Sequence, residues 1–356
     1  MVDSKQAPLD SAAAAKAAFA SVQDKPFPDD IFTAPELRWA VIGCGVIANQ
    51  MAQSLALAGR KLAGVANRTL SKAQAFAEQY GIEKVYESVE DLYADPGIDA
   101  VYITTPHNTH ITYLRDALAA GKHVLCEKAI TLNSAELDEA RAIADEHNVV
   151  LMDATTVLHM PLYQELRRRM DAGEFGRMNL AQLNFGSYKE YGDLTNRFYN
   201  RNLAGGAMLD IGVYALSVMR LFMASQPIEV VSLGNTCETG VDVAGGIVCR
   251  NAEQQLGVVG LTLHSKQPKR SIISFDKCYI EVNEYPRADH ATIVWTADGH
   301  REEVHAGTEA YALCYEMADL EKAVAGDDSK RELLGYASDV MELMTKLRAD
   351  WGVVYP

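Results

Sequence analysis

The sequence predicts an α/β protein: a doubly wound parallel sheet in the N-terminal half, followed by an α+β domain with a large, mainly antiparallel open sheet. Up to about residue 156, short apolar strands alternate with helices, which is typical of a parallel sheet covered on both faces. Beyond it, several strands follow one another with few helices between them. The chain has 356 residues, 48% of them apolar, enough for two packed cores.

In the first half, three predicted helices stop at a glycine (Gly59, Gly81 and Gly121), the residue that most often ends a helix. Asn133 followed by Glu136 has the spacing of a capping box, which opens a further helix. The predicted strands cover residues 37–42, 61–66, 100–103, 124–125 and 149–152. The predicted helices cover residues 47–58, 71–80, 108–120 and 133–146.

In the second half, apolar residues alternate with polar ones, as in Ala181, Leu183 and Phe185, which indicates strands with one buried face. The predicted strands cover residues 181–185, 229–233, 246–249, 259–263, 271–275, 279–282 and 292–296. The predicted helices cover residues 161–172, 309–325 and 331–350. We therefore expect an N-terminal extension (1–34), a first domain (35–156) and a second domain with the closing helices (157–356).

The extension is rich in alanine, but Lys16 interrupts it and it has no strongly apolar core of a signal peptide. Residues 9–22 could form a short helix, followed by a connector over residues 24–35. The sequence leaves open whether this arm packs on the body, packs on a partner subunit or is disordered.

Composition excludes several classes of function. With 33 basic and 48 acidic residues the net charge is -15, which disfavours nucleic acid or an anionic membrane as a partner. No apolar run approaches the roughly 18 residues of a membrane span. The six cysteines show no Cys-x-x-Cys and no Cys/His cluster, so we expect no metal site and reduced thiols in a cytoplasmic protein.

A glycine-rich turn lies between the first strand and the first helix. The first glycine permits the tight turn, the second lets backbone approach a pyrophosphate, and the helix N-terminus offers free N–H groups. Although a plain glycine turn would look similar, the strand and helix around it favour a Rossmann dinucleotide-binding domain. The motif, in which Gly43, Gly45, Val46 and Ile47 are expected to bind cofactor, is Gly43-Cys44-Gly45-Val46-Ile47-Ala48.

The end of the second strand indicates which dinucleotide is bound. NAD-binding domains usually have Asp or Glu there, on the ribose 2′-hydroxyl. This chain has Asn67 and Arg68 instead, and a guanidinium can bind a 2′-phosphate. The pattern favours NADP, with NAD possible and Arg68 as a solvated loop arginine the alternative.

Two further stretches hold candidate catalytic residues. Glu127 and Lys128 follow a predicted parallel strand, at the carboxyl edge where open α/β sheets bind ligands. A second glycine turn, Gly205-Gly206, leads into a helix on which Asp210 and Tyr214 are four residues apart and therefore share a face.

On these motifs the chain resembles the glucose-fructose oxidoreductase / inositol dehydrogenase / rhizopine-catabolism (Gfo/Idh/MocA) family, and within it the dihydrodiol dehydrogenase / D-xylose dehydrogenase branch. The resemblance runs from about Leu37 to the C-terminus. Tyr214, where many members have histidine, fits that branch. The other residues that carry it are the stretches 104–110 (TTPHNTH), Glu127-Lys128, 205–214 (GGAMLDIGVY), 238–242 (ETGVD) and 351–356 (WGVVYP).

The resemblance implies that Lys128, Asp210 and Tyr214 act at the reacting carbon, where a base takes a hydroxyl proton while hydride leaves for nicotinamide. A nearby ammonium favours the phenolate of a tyrosine, whose pKa is ordinarily near 10. A buried Tyr, a capping Asp and a surface Lys are the structural alternatives. The resemblance further implies nicotinamide-side contacts from Thr105, Pro106, Asn108 and His110, and a ribose contact or a Lys128-fixing role for Glu127. A catalytic role is the alternative for His110, but its place in the first turn of a helix favours a role in shaping the pocket. The residues just before the second glycine turn are candidate substrate contacts, with ordinary loop surface as the alternative: Tyr191, Arg197, Tyr199 and Asn200.

Two departures from the family leave the substrate open. Ala129 stands where the family has a proline that often forms a cis peptide, and a cis bond is far less expected before alanine. Residues 153–160 (DATTVLHM) lack the Trp and Arg of the dihydrodiol-type branch. The leading hypothesis is reversible oxidation of a secondary alcohol on a sugar, cyclitol or related polyol. A redox-neutral lyase or glycosidase and a dinucleotide-sensing regulator are the alternatives, and a homodimer or tetramer through the second sheet is expected.

Overall fold

The computed structural model describes residue 17, residues 19–22 and residues 25–356, so most of the expected helix over 9–22 lies outside the described residues. The described part of the connector, residues 25–35, packs on the rest of the same chain. Ile31 is 4% exposed. The Phe27 ring lies edge-on to Tyr311 with centroids 4.9 Å apart, and the Arg60 guanidinium lies 4.0 Å from the centroid of Phe32.

The first sheet has six parallel strands in the order β3-β2-β1-β4-β5-β6, the doubly wound order of dinucleotide-binding domains. This confirms the predicted doubly wound parallel sheet. Its strands are β1 Trp39–Ile42, β2 Gly64–Ala66, β3 Lys84–Tyr86, β4 Ala100–Ile103, β5 His123–Glu127 and β6 Leu151–Ala154.

Five helices cover this sheet: α1 Val46–Leu57, α2 Leu70–Tyr80, α3 Val89–Ala94, α4 His110–Ala119 and α5 Ser134–Glu146. Asn133 caps α5 as predicted, since its side chain accepts from the Glu136 N–H at 2.9 Å, but the Glu136 carboxylate accepts from the Leu132 N–H at 2.9 Å and not from the Asn133 N–H that a full capping box would use. The second strand is shorter than the predicted 61–66. Strand β3 and helix α3 were not predicted from the sequence. For β3 the reason is that a three-residue edge strand that is not fully buried has no run of apolar residues by which it can be recognised.

The second sheet has eight strands in the order β14-β13-β12-β11-β7-β10-β9-β8, and all neighbours are antiparallel except β7 and β10. The predicted large, mainly antiparallel sheet is therefore confirmed. Its strands are β7 Met178–Gly186, β8 Glu229–Thr236, β9 Asp242–Arg250, β10 Leu256–Thr262, β11 Gln267–Phe275, β12 Cys278–Asn283, β13 His290–Trp295 and β14 Arg301–His305.

The remaining helices are α6 Pro161–Asp171, α7 Val213–Phe222, α8 Ala312–Val324, α9 Asp328–Arg331 and α10 Leu333–Asp350. Helix α7 packs on the inner face of the second sheet, and α10 packs on both α7 and α5. Helix α8 returns to the first sheet, where Met317 and Leu320 share a core with Trp39 and Met51. The range 157–356 therefore supplies part of the first domain's core.

One helical segment in the described part of the chain, Arg201–Phe222, is long and apolar enough by composition to cross a membrane, with a mean hydropathy of 1.3. From the sequence, no apolar run approaching this length was expected. Within this fold 83% of its most apolar window is buried, as in the core helix of a globular domain.

Candidate functional site

The glycine turn after β1 leaves open space in front of a helix N-terminus. Gly43 has φ +105°, and a Cβ there would lie 2.6 Å from the Thr104 Oγ1, so only glycine fits. Nothing lies within 4 Å of a Cβ built on Gly45. The first turn of α1 has no side-chain cap and no acidic residue, so its N–H groups and positive dipole end face this space. These features fit the pyrophosphate of a dinucleotide.

At the end of β2 the chain presents a cation and no carboxylate. The Asn67 side chain donates to the Thr69 carbonyl at 3.0 Å, which folds the turn back on itself. Arg68 is exposed, and no ion pair of its guanidinium occurs among the described residues. Lys72 follows in the first turn of α2, which contains no acidic residue. This end of the cleft suits a phosphate better than an uncharged ribose hydroxyl.

The buried side chain of His110, which is 0% exposed, contacts the loop that follows β4 on the side away from the cleft. Its Nδ1 lies 3.0 Å from the Ala129 carbonyl oxygen and its Nε2 2.8 Å from the Thr105 carbonyl oxygen, so neither nitrogen faces the cleft. Burial lowers the pKa of His110. His110 thus shapes the loop, whereas Pro106 and Asn108 on its outer side are exposed.

The peptide bond between Lys128 and Ala129 is cis, so the expectation of a trans bond at this position is wrong. The expectation rested on the local preference of alanine, which does not take account of the surroundings. Both carbonyls of the dipeptide are bonded by histidines: His107 Nε2 lies 3.0 Å from the Lys128 oxygen and His110 Nδ1 3.0 Å from the Ala129 oxygen. His107 belongs to the TTPHNTH stretch, but its position in the sequence did not single it out.

The second glycine turn starts the segment that carries Asp210 and Tyr214. The Asp242 carboxylate accepts from the Met208 N–H at 2.6 Å, at the start of this segment. Residues Met208–Gly212 form a π-helical turn that continues into α7, where a regular α-helix was expected. Asp242, which was noted only for its resemblance to the family, is therefore a positioning residue for the site.

The structure brings Lys128, Asp210 and Tyr214 together. The Lys128 Nζ donates to the Asp210 carbonyl at 2.8 Å and lies 3.5 Å from the Asp210 Oδ1. The same Nζ lies 4.9 Å from the centroid of the Tyr214 ring. Lys128 and Asp210 are only 14% and 12% exposed, so their charges act in a largely dry environment.

The protonation states of these groups follow from their environment. Burial alone would lower the pKa of Lys128, but Tyr214 and Asp210 raise it above its ordinary value. Burial would raise the pKa of Asp210, but Lys128 and Arg197 lower it to about 2. Burial raises the pKa of Tyr214, and Lys128 only partly opposes this. At neutral pH the site therefore holds an ammonium, a carboxylate and a neutral phenol, so Tyr214 has a proton to donate.

Besides the predicted Glu127, several polar groups that the sequence did not indicate lie beside the site. Tyr102, in the middle of β4, donates a short hydrogen bond to Glu127. Burial raises the pKa of both Glu127 and Glu316, which lies on α8. Arg287, in the second domain, donates to the Gln50 side chain on α1 at 3.2 Å. Because these residues come from distant parts of the chain, only the folded structure reveals that they are neighbours.

Of the residues expected to contact substrate, Arg197 lies at the site, with its Nη2 3.6 Å from the Asp210 Oδ1. Tyr191 packs against the rings of Tyr199 and His264, with centroids 5.1 and 4.9 Å away. Tyr199 is buried, and its hydroxyl donates to a backbone carbonyl. The Asn200 side chain accepts a backbone N–H within its own loop. Tyr199 and Asn200 thus shape the loop that presents Arg197.

Comparison with known proteins gives two family matches that together cover most of the chain. Residues 37–155 match the oxidoreductase family with an NAD-binding Rossmann fold. Residues 163–281 match the GFO/IDH/MocA C-terminal domain. The two matched ranges correspond to the parallel sheet and to the larger part of the antiparallel sheet.

Curated relatives include trans-1,2-dihydrobenzene-1,2-diol dehydrogenases. The Mus musculus protein is 32% identical over 254 residues, which are 70% of this chain and 75% of that protein. The Xenopus laevis protein is 28% identical over 332 residues, which are 90% of this chain and 99% of that protein.

Solved structures with the same fold include levoglucosan dehydrogenase in complex with NADH and levoglucosan, with a TM-score of 0.77, 19% identity and coverage of 89% and 97% of the two chains. KijD10, a 3-ketoreductase from Actinomadura kijaniata in complex with NADP and TDP-benzene, has a TM-score of 0.76 at 24% identity, covering 88% and 98%. The chain belongs to the GFO/IDH/MocA family and is an NAD(P)-binding oxidoreductase.

Proposed function

We propose that this protein transfers a hydride between a secondary alcohol of a sugar, cyclitol or related polyol and the nicotinamide of NADP. The observation that carries the proposal is the meeting of Lys128, Asp210 and Tyr214 at the carboxyl edge of the parallel sheet. The names of the relatives support it, because a diol dehydrogenase and a levoglucosan dehydrogenase both act on hydroxyl groups.

Each residue of the group has a distinct role in this reaction. When bound, the cofactor accepts or supplies the hydride at its nicotinamide ring. Tyr214 takes the hydroxyl proton during oxidation and returns it during reduction. Lys128 donates to the reacting oxygen and stabilises the negative charge that develops there. Asp210 holds Lys128 as an ammonium and accepts from a substrate hydroxyl.

The direct test is to mix the purified protein with NADP+ or NAD+ and a panel of aldoses, inositols, glycosides and trans-dihydrodiols, and to follow nicotinamide absorbance. We expect net reduction of NADP+ with at least one polyol. Tight cofactor binding without net reduction by any substrate would contradict the dehydrogenase. The glycosides would then be analysed for elimination or hydrolysis products.

The preference for NADP is tested at Arg68. We expect Arg68→Ala to weaken NADP binding by about tenfold or more, because a charge-assisted contact with the 2′-phosphate is lost. NAD affinity should stay within about twofold, since NAD has no such phosphate. Titration of both dinucleotides by intrinsic fluorescence checks this, with Lys61→Ala as a charge-matched control on the same domain. If Arg68→Ala weakened the binding of NADP and NAD equally, Arg68 would not contact the 2′-phosphate.

We also propose that the protein forms a homodimer, or a tetramer built from dimers, through the open face of the second sheet. Val231 and Leu233 on β8 are 76% and 83% exposed, and the facing Val248 on β9 is 48% exposed. An apolar stripe of this kind is typical of an interface. We expect Leu233→Glu to shift the protein towards monomer in sedimentation velocity, whereas Lys61→Glu should not. A wild-type monomer at micromolar concentration would contradict the proposal.

A further inference from the structure

The second glycine turn is enclosed by two side chains from other parts of the second domain. The Asp242 carboxylate is 0% exposed, and its Oδ2 accepts from the Met208 N–H at 2.6 Å. A Cβ built on Gly206 would lie 2.3 Å from the other carboxylate oxygen and 3.1 Å from the Tyr355 hydroxyl. This hydroxyl donates to the Gly205 carbonyl at 2.5 Å. The position of the turn therefore depends on both Asp242 and Tyr355.

Arg348, on α10, connects this turn to the loop that follows Lys128. Arg348 is only 4% exposed, and its Nη2 donates a short hydrogen bond to the carbonyl of Leu132, at the end of that loop. Its Cζ lies 5.3 Å from the centroid of the Tyr355 ring, within the range of a cation–π contact. Arg348 therefore contacts the first domain through Leu132 and the glycine turn through Tyr355.

The buried charges of Arg348 and Asp242 act on each other and on Tyr355. Burial raises the pKa of Asp242 to about 6, and the positive charge of Arg348 opposes this rise. Burial and the charge of Asp242 raise the pKa of Tyr355, so its hydroxyl keeps its proton at neutral pH and donates it to Gly205. A buried charge that loses its counter-charge is costly. Removal of the Arg348 charge should therefore disturb the whole group.

We propose that Arg348 and Tyr355 are positioning residues, which join the loop after Lys128 to the turn before Asp210 and so fix the distance between these two groups. This inference rests on the proposed function. Lys128 and Asp210 are 82 residues apart and belong to different domains, so their contact requires that both segments are held. Because a displacement of about 1 Å can cost about 10²-fold in rate, such a link contributes to kcat without touching the substrate.

The first variant, Tyr355→Phe, removes the hydroxyl that donates to Gly205 and keeps the ring beside Arg348. We expect kcat with the best polyol of the panel to fall by about tenfold or more, while KM and the NADP affinity stay within about threefold of the wild type, because the reacting groups are displaced but the ligand contacts remain. Tyr279→Phe is the matched control, because Tyr279 on β12 is 36% exposed and loses the same hydroxyl. It should keep the wild-type kcat. A loss confined to KM or to NADP affinity would contradict the positioning role.

Two variants of Arg348 separate its charge from its volume. Arg348→Met removes the charge and the donors and should lower kcat by about 10²-fold, whereas Arg348→Lys keeps the charge and should recover about tenfold of that loss. Arg115→Met is the control, because Arg115 is 45% exposed and pairs with Glu139 on the surface of the first domain. Its kcat should equal that of the wild type. An unchanged kcat in Arg348→Met, or a loss that Arg348→Lys does not recover, would overturn the inference.

A double variant tests whether the two residues form one link. If they do, Tyr355→Phe combined with Arg348→Met should be no more than about twofold slower than Arg348→Met alone, since the first change has already broken the link. Losses that multiply would show that the two residues act separately, and the inference would be wrong. Thermal unfolding of each variant confirms that the protein compared is folded.

Hydrogen exchange of the NADP-loaded protein tests the link without any substrate. In Tyr355→Phe and Arg348→Met we expect faster exchange of the amides both in residues 205–214 and in residues 128–133, while strands β12 and β13 exchange as in the wild type. This result would support the link even if the wild-type protein oxidised no polyol, a finding that would refute only the proposed function. Unchanged exchange of residues 128–133 in both variants would overturn the inference.

Discussion

Replacing Tyr214 with phenylalanine should lower kcat by about 10²–10⁴-fold, because a positioned proton-transfer group contributes that much to a reaction of this type. The phenyl ring preserves the shape, and the Lys128–Asp210 contact does not involve the hydroxyl. Cofactor affinity should therefore stay within about twofold of the wild type. Steady-state kinetics with the best polyol of the panel, together with NADP titration, measures both quantities.

Tyr188→Phe is the matched control, because Tyr188 is 52% exposed and this substitution also removes a phenolic hydroxyl, but from the surface. It should retain the wild-type kcat. If Tyr214→Phe also kept kcat within a factor of about three, Tyr214 would not be the proton-transfer residue.

The pH dependence of the reaction follows from the raised pKa of Tyr214. Burial places that pKa above 10, so the phenolate is a minor form at neutral pH and its fraction grows about tenfold with each unit of pH. Oxidation needs the phenolate and should speed up from about pH 7 to pH 9. Reduction needs the phenol and should stay nearly constant over this range. Tyr214→Phe should abolish the rise of the oxidation rate with pH. If the wild-type oxidation rate did not change with pH while hydride transfer limits the rate, Tyr214 would not be the residue that takes the proton.

Removing the ammonium of Lys128 should have an effect of similar size. We expect Lys128→Ala to lower kcat by about 10²–10³-fold, since the developing negative charge on the substrate oxygen loses its donor and burial raises the pKa of Tyr214 without opposition. Adding small primary amines should restore part of the activity, because the ammonium can enter the space left by the side chain. Single-turnover measurements of nicotinamide absorbance check both effects.

Lys61→Ala is the control for this variant, because Lys61 is 56% exposed and pairs with Glu83 on the surface. It should keep full activity and gain nothing from added amine. Full activity of Lys128→Ala would show that the reaction does not need Lys128. A loss that affects only KM would show that Lys128 binds substrate without stabilising the transition state.

Much of the first domain could be predicted from sequence because its signals are local. A glycine turn between an apolar strand and a helix requires particular backbone angles, and Gly43 has the positive φ that this role demands. The helix stops at Gly59, Gly81 and Gly121 are likewise local, and each has a positive φ in the structure. Prediction of strands from sequence fails where a strand is short and partly exposed, as at Lys84–Tyr86, because there is no run of apolar residues to recognise.

The sequence by itself determined the fold class, the dinucleotide-binding turn and the residues Lys128, Asp210 and Tyr214 as candidates. The fold class and the turn are matters of residue type and near-neighbour spacing, whereas the roles expected of the three residues come from the resemblance to the family. Only the tertiary structure decided what surrounds them: the cis peptide after Lys128 between two histidines, the Asp242 contact that begins the π-helical turn, the return of α8 to the first sheet, and the cations around Asp210. These features depend on contacts between residues far apart in the chain, where burial and charge can override local preference.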